Sequence, residues 1–356
     1  MIISNFASKL IPWYTLHKRD LPWRNTRSPY FIWLSEVILQ QTRVAQGLPY
    51  FEKFVAAFPD VFALAAAPED EVLRLWQGLG YYSRARNLHR CAQEVVEKHH
   101  GEFPATAAAL RRLPGIGPYT AAAIASFAFG EAAPVVDGNV YRVLARYLGI
   151  QEDISRPSTY KVFEQAAREL MQGTDPGLFN QAIMEFGSLQ CSPKDPGCMH
   201  CPLQAACYAF QHGQVTALPV KSGKVKVRER FFYYSFIRCA GQVLLSKRGA
   251  GDIWEGLYEL PLREMEELPE EPLLPEGWNL PVQRLEFPEG TVKHLLSHQR
   301  LFARCVAIEL EEKYLNSLRE WAAPKSYLLV SECDVPKFGK PVLVSKFLEL
   351  LKFPYL

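Results

Sequence analysis

Apolar side chains recur every three to four residues through most of the first two hundred positions, the period of helices that bury one face. SKLIPWYTLHK and IWLSEVILQQTRVAQGLPYFEKFVAAF carry this spacing. Alanine-rich stretches around Ala63–Ala67, Ala105–Leu110 and Ala121–Phe129 favour helix by intrinsic propensity. Pro59, Pro68, Pro104, Pro114, Pro118 and Pro134 fall between these stretches or near their starts, where a missing N–H costs least. Beyond Cys207 the pattern changes. Residues 213–230, with Lys221, Lys224, Lys226, Arg228 and Arg230, read as a basic, extended connector. ERFFYYSFIRC and VLLSKR, separated by Ala-Gly-Gln, predict a β-hairpin. RLFARCVAIEL predicts another strand, and KPVLVSKFLELLK a closing helix. The expected architecture is multidomain: an all-α domain over 1–212, a linker over 213–230 and an α+β domain over 231–356.

Composition agrees with this division. A chain of 356 residues with 48% apolar side chains can fill two cores. The net charge of +2 argues neither for nor against a nucleic-acid partner, but its distribution is uneven. Residues 1–230 hold 25 Lys plus Arg against 20 Asp plus Glu, and the remainder leans acidic. No apolar run reaches the roughly 18 residues a membrane span needs. The opening MIISNFASKLIPWY lacks the features of a secretory signal, so a cytoplasmic protein is expected, with a monomer as the default.

Four of the eight cysteines crowd into one loop as Cys191, Cys198, Cys201 and Cys207, spaced C-x6-C-x2-C-x5-C. That clustering reads as a metal site in a reducing compartment rather than a disulfide framework. Structural zinc usually pairs two C-x2-C knuckles across a longer gap. A single knuckle flanked by lone cysteines better suits a [4Fe–4S] cluster, with zinc and unligated cysteines as alternatives.

Leu113-Pro-Gly-Ile-Gly-Pro-Tyr-Thr-Ala121 lies between two expected helices. Gly115, Ile116 and Gly117 would turn the chain tightly and offer backbone N–H groups, with a helix N-terminus, to a phosphate. An ordinary helix connection is the plainer reading. Glu36 is an isolated carboxylate in the apolar Trp33-Leu-Ser-Glu-Val-Ile-Leu-Gln-Gln-Thr42. It either edges a surface stripe or lines a cleft, where lost hydration would raise its pKa and make it a proton donor. Asp137, after the apolar Pro134-Val-Val, is expected to cap the next helix. The N–H groups it accepts would keep it ionised, as stabilising a cationic sugar requires. One acid for the leaving base and one carboxylate for the sugar cation are what cleavage of an N-glycosidic bond needs.

Together these segments closely resemble the helix-hairpin-helix, iron–sulfur DNA glycosylase superfamily, and within it the MutY-type adenine DNA glycosylases. Tyr119 stands where the related endonuclease III-like enzymes carry the lysine that forms a Schiff base, so the resemblance implies an essentially monofunctional enzyme. Leu21-Pro-Trp-Arg24, the Glu36 helix and Gly78-Leu-Gly-Tyr-Tyr82 look like adenine-pocket segments of that family. By this resemblance Glu36 protonates adenine at N7 and Asp137 answers the C1′ cation, supported by Tyr119 and Asn139. Arg19, Leu21, Trp23, Arg24, Val44, Gln181 and Met184 line the extruded base, although core packing is the alternative for the aromatics. Gln41, Thr42, Leu79 and Tyr81 act at the opposite base, and Gln41 and Tyr81 fill the gap that flipping leaves.

The same resemblance implies a MutT-like (Nudix) second domain around GDIWEGLYELP that reads the lesion. Arg263-Glu-Met-Glu-Glu267 imitates a Nudix metal helix, but its spacing is wrong and Pro261 and Pro269 crowd it. Where the family has a Phe-Ser-His loop, this chain has Leu296-Ser297-His298. The implied substrate is double-stranded chromosomal DNA with adenine opposite 8-oxoguanine, and A:G as a further one. Two rivals remain at this stage: a bifunctional pyrimidine glycosylase/lyase of the endonuclease III type, and a non-catalytic iron–sulfur DNA sensor.

Overall fold

A computed structural model describes residues 5–223 and 227–354. The chain divides into two units, Met1–Ala66 with Asn87–Gly223 and Ala67–Arg86 with Lys224–Leu356.

The first unit is helical. Its elements are α1 (Phe6–His17), α2 (Pro29–Leu39), α3 (Val44–Ala57) and α4 (Val61–Ala66). After α5 (Glu69–Leu75), which belongs to the second unit, come α6 (Ser83–His99), whose first turn up to Arg86 also belongs to the second unit, α7 (Ala107–Leu110), α8 (Pro118–Phe129), α9 (Gly138–Leu148), α10 (Thr159–Met171), α11 (Pro176–Leu189) and α12 (Tyr208–Gln211). Local sequence sets the boundaries. Proline opens α2, α8 and α11, and Thr106, Asp137 and Asp175 accept N-terminal N–H groups of α7, α9 and α11. Gly130 and Gly149 close α8 and α9 in the left-handed conformation. The long periodic stretch from Ile32 to Phe58 is not one helix: it breaks between α2 and α3, where Gln41 takes φ 57. Among the described residues no helix is long and apolar enough to cross a membrane.

In the second unit the strands are β1 (Arg228–Cys239), β2 (Gln242–Lys247), β3 (Tyr258–Glu259), β4 (Leu262–Met265), β5 (Arg284–Glu286), β6 (Val292–Leu295), β7 (Gln299–Leu310) and β8 (Leu328–Ser331). Helices α13 (Leu315–Ala322) and α14 (Val342–Leu350) accompany them. β1 and β7 form a parallel pair along their whole length, from Arg228 opposite Gln299 to Cys239 opposite Leu310. β2 and β4 lie antiparallel to β1, β5 and β6 antiparallel to β7, and β3 and β8 on β2. The expected hairpin is present, with Ala240 (φ 49) and Gly241 (φ 68) making its turn. FFYYSF is apolar on both faces because both are covered. Tyr233 and Ile237 pack with Leu318 and Trp321 of α13, and Tyr234 packs on Phe347 of α14.

Two sequence expectations need correction. The connector 213–230 is not extended throughout. β1 begins at Arg228, and Arg230 is buried between Asp252 and Glu264, because pairing with β7 draws the flanking Arg-Glu-Arg into the ladder. Residues before it pack on the helical unit, where Ser222 binds Asp153 and Leu218 O accepts from Arg146. Lys224 and Lys226 lie outside the described residues. Second, residues 67–86 group with the sheet rather than with the helices. Asp70 pairs with Lys247 at 2.7 Å and accepts from the Tyr258 hydroxyl at 2.9 Å, and Gln77 accepts from Lys340 N at 3.1 Å. The pocket expected for the base lies within the first unit, and the loop expected for the lesion within the second. The imitation of a metal helix at Arg263–Glu267 is mostly strand β4, with Glu264 engaged by Arg230 at 2.6 Å.

Candidate active site

Helix α2 carries Glu36 inward because its sequence leaves no polar face. Tyr30 and every residue from Ile32 to Ile38 are buried, and Glu36 is only 7% exposed. The surface-stripe reading of Glu36 is therefore wrong. Helix α8 packs against α2 and is buried from Thr120 to Ser126, mostly as alanine, so the backbones approach closely. Tyr119, in the first turn of α8, donates its hydroxyl to Glu36 Oε2 at 2.7 Å and reaches Met184 Sδ at 3.3 Å. Lost hydration pushes the Glu36 carboxyl up to about 7; the Tyr119 hydrogen bond and Arg24 oppose the rise, and the charge of Asp137 adds to it.

Asp137 caps α9 as its sequence predicts. Its Oδ1 accepts from Asn139 N at 2.9 Å and Val140 N at 2.8 Å, and its Oδ2 from the Asn139 side chain at 2.7 Å. Burial nevertheless moves this carboxyl upward, against those bonds and against Arg142, so the expectation that capping alone sets its ionisation is corrected. The two acids differ in what holds their charged forms: a single hydroxyl and Arg24 for Glu36, three hydrogen bonds and Arg142 for Asp137. Behind Asp137, Arg142 donates to Asn139 Oδ1 at 2.9 Å and to the carbonyls of Cys191 at 2.8 Å and Gly187 at 2.7 Å. Arg142 thus connects the carboxylate's support to the backbone of the cysteine loop.

One cavity of ≈ 520 Å³ is lined by Glu36, Asp137, Tyr119 and Asn139 together with Arg19, Leu21, Trp23, Arg24, Val44, Gln181 and Met184. Thr42 lines it too, so it sits with the carboxylates. Trp23 is buried edge-on against Phe51 at 5.0 Å, and Tyr14 fixes Gln181 through a 2.8 Å hydrogen bond. Sequence reasoning missed Glu185, which is 1% exposed. It holds Arg19 at 2.5 Å and Arg24 at 2.8 Å, and the two guanidiniums bring its pKa down to about 2. Its signal was the one used for Glu36: a lone acid within an apolar helix, PGLFNQAIMEFG.

Cys191, Cys198, Cys201 and Cys207 form no disulfide and line one small cavity of the same unit. Arg146 reaches Cys191 Sγ at 3.4 Å and ties the loop backbone at Ser192 O (2.7 Å) and Pro193 O (3.1 Å). Among the described residues no group of three or more His, Cys, Asp or Glu side chains is set to hold a metal ion. In the hairpin before α8, Gly115 takes φ 72, and a Cβ there would lie 2.6 Å from Asn87 Cβ, so only glycine fits. Ile116 is buried and anchors the turn, while Gly115 and Gly117 are exposed beside the α8 N-terminus.

The second unit gathers the other candidates. Leu79, Tyr81, Leu296, Ser297 and His298 line a cavity of ≈ 460 Å³ with Trp254. Leu296-Ser-His298 turns the chain from β6 to β7, closed by Leu296 N to Gln299 O at 2.8 Å. The Tyr81 hydroxyl is hydrogen-bonded to Ser297 Oγ. Leu79 is buried, Tyr81 is 41% exposed, and Gln41 is exposed on the helical unit.

Comparison with known proteins matches residues 34–172 to the HhH-GPD superfamily of base excision DNA repair proteins and residues 233–350 to the NUDIX domain. Similar curated proteins include the adenine DNA glycosylase of Mus musculus, 45% identical over 61% of this chain and 44% of its own length. The adenine DNA glycosylase of Buchnera aphidicola (Schizaphis graminum) is 36% identical over 73% of this chain and 76% of its own. This chain thus spans under half the length of the mouse relative. Among solved structures, a thermostable thymine-DNA glycosylase is similar at 29% identity and TM-score 0.55, covering 59% of this chain and 97% of that one. An endonuclease III–DNA complex, at 22% identity and TM-score 0.51, covers 60% of this chain and 98% of that chain and shares the helical fold.

Proposed function

Because the chain belongs to the adenine DNA glycosylase family, we propose that it flips adenine from duplex DNA and hydrolyses its N-glycosidic bond, selecting adenine opposite 8-oxoguanine, with adenine opposite G as a further substrate. The observation that carries this reading is the pairing, in one cavity, of a Glu36 carboxyl held near neutral pKa with a hydrogen-bonded Asp137. Glu36 gives its proton to adenine N7, and Tyr119 occupies Oε2 so that Oε1 is left for the base. Asp137 stabilises the positive charge that develops at C1′, and Asn139 orients it. Water then adds at C1′, and the Glu36 carboxylate takes up its proton.

Tyr119 cannot form a Schiff base and burial keeps its hydroxyl neutral, which favours the monofunctional reading over the lyase alternative. Trp23 and Met184 supply apolar walls for the flat base, while Glu185 keeps Arg19 and Arg24 aligned at its polar edge. The Gly115–Gly117 turn offers N–H groups to the DNA backbone, and the exposed Ser297 and His298 offer hydrogen bonds to the opposite lesion.

Four thiols around one cavity, with a guanidinium beside Cys191, suit the [4Fe–4S] reading of Cys191, Cys198, Cys201 and Cys207. Such a cluster would supply a rigid staple for the loop that Arg142 and Arg146 grip. We place the enzyme on chromosomal DNA in a cytoplasm that keeps these thiols reduced.

Duplexes bearing A opposite 8-oxoguanine, A opposite G, or thymine glycol test the proposal. The adenine duplexes should break only after alkali and thymine glycol should remain intact. Breaks at thymine glycol without alkali, with intact adenine duplexes, would overturn it.

A further inference from the structure

Tyr81 sits in a turn that its own backbone does not favour. Gly78 (φ 100), Gly80 (φ 76) and Tyr81 (φ 49) all lie in the left-handed region, and for a bulky residue such as tyrosine that conformation needs outside support. Support comes from the first turn of α6. Arg84 is buried. One guanidinium nitrogen donates to Gly80 O at 3.1 Å and lies 3.4 Å from Leu79 O. The guanidinium carbon lies 5.0 Å from the Trp76 ring centroid and 5.7 Å from that of Tyr81. Trp76 in turn donates its indole N–H to the same Gly80 carbonyl at 3.0 Å. At the far end of the Tyr81 ring, the hydroxyl meets Ser297.

We infer that Arg84 is a positioning residue for lesion selection: it fixes the Tyr81 turn through the Leu79 and Gly80 carbonyls and backs the Tyr81 ring, so that the ring is presented ready to enter the stack. This inference rests on the proposed role of Tyr81 at the lesion. Arginine suits the place and lysine does not, because a planar cation serves two rings and the carbonyls at once, whereas an ammonium is a point charge. A preset ring loses less freedom on insertion, and the gain is realised only where the DNA offers the favoured lesion to the Ser297 side.

The test uses the full chain carrying Glu36→Gln, so that binding is read without turnover. Dissociation constants are measured for duplexes with A opposite 8-oxoguanine and A opposite G, and their ratio is the readout. Arg84→Met and Tyr81→Ala should each shrink that ratio about tenfold, and the double variant should shrink it no further, since both remove one coupled unit. Arg84→Lys, which keeps charge and length, should also lose the ratio while melting close to the parent; it decides the matter if Arg84→Met fails to fold. General loosening would weaken both duplexes equally and leave the ratio intact. A ratio lost in Tyr81→Ala but kept in the Arg84 variants would overturn this inference alone, as would losses that multiply in the double variant. A ratio kept in Tyr81→Ala would overturn the underlying role of Tyr81 as well.

Discussion

Replacing Glu36 by glutamine is expected to lower the single-turnover rate of adenine release by about a thousandfold, the loss typical of a missing general acid. Duplex binding should survive, because the amide keeps the shape of the carboxyl and can still accept from Tyr119. The same substitution should stabilise the fold, and the sign follows from linkage. The Glu36 pKa is about 7 in the folded chain against 4.5 for a free glutamate. Burial therefore costs nothing below about pH 4.5, where both states hold the proton, and the cost grows to its full size above about pH 7. Glutamine removes that cost, so thermal and denaturant midpoints should rise at alkaline pH, by up to about 3 kcal/mol, and coincide with the parent in acid. Normal turnover in Glu36→Gln would reject the acid assignment. A non-catalytic sensor would show no turnover in the parent either.

Asp137→Asn separates chemistry from architecture at the second carboxylate. Asparagine caps helices about as well as aspartate, and its Oδ1 can still accept from Asn139 N and Val140 N; its amide nitrogen would meet the Asn139 side-chain donor that now binds Oδ2, so stability should fall by about 1 to 2 kcal/mol. The negative charge opposite the developing C1′ cation is gone, and the rate should fall about a thousandfold. Single-turnover kinetics beside thermal denaturation distinguish the two effects. A large drop in stability with near-normal chemistry would make Asp137 a structural cap only.

Much of this was legible in the sequence because it rests on local rules. Proline at helix starts, Asp137 before an amphipathic helix and the glycines of the Leu113–Ala121 turn all act within a few residues, and the structure places them as those rules require. The apolar surroundings of Glu36 pointed to burial, but lining a cleft and edging a stripe differ only in what packs on α2, and that is decided by the alanine face of α8. Glu185 went unnoticed because its partners Arg19 and Arg24 lie more than a hundred and fifty residues away along the chain. Residues 67–86 looked like one more helical segment, and distant partners, among them Lys247 and Tyr258 for Asp70 and Lys340 for Gln77, assign them to the sheet unit. Arg230 read as linker charge until a strand pairing buried it.

The central claim is that a neutral Glu36 carboxyl delivers the proton that releases adenine. The pH dependence of the single-turnover rate on a duplex with A opposite 8-oxoguanine tests it most directly. The rate should be lost as pH rises through a midpoint near 7, the pH at which Glu36 gives up its proton, and protonation of Asp137 should bound the active range on the acid side. A rate that stays level from about pH 6 to about pH 9 would contradict the account, because an acid with this pKa cannot donate equally across that range.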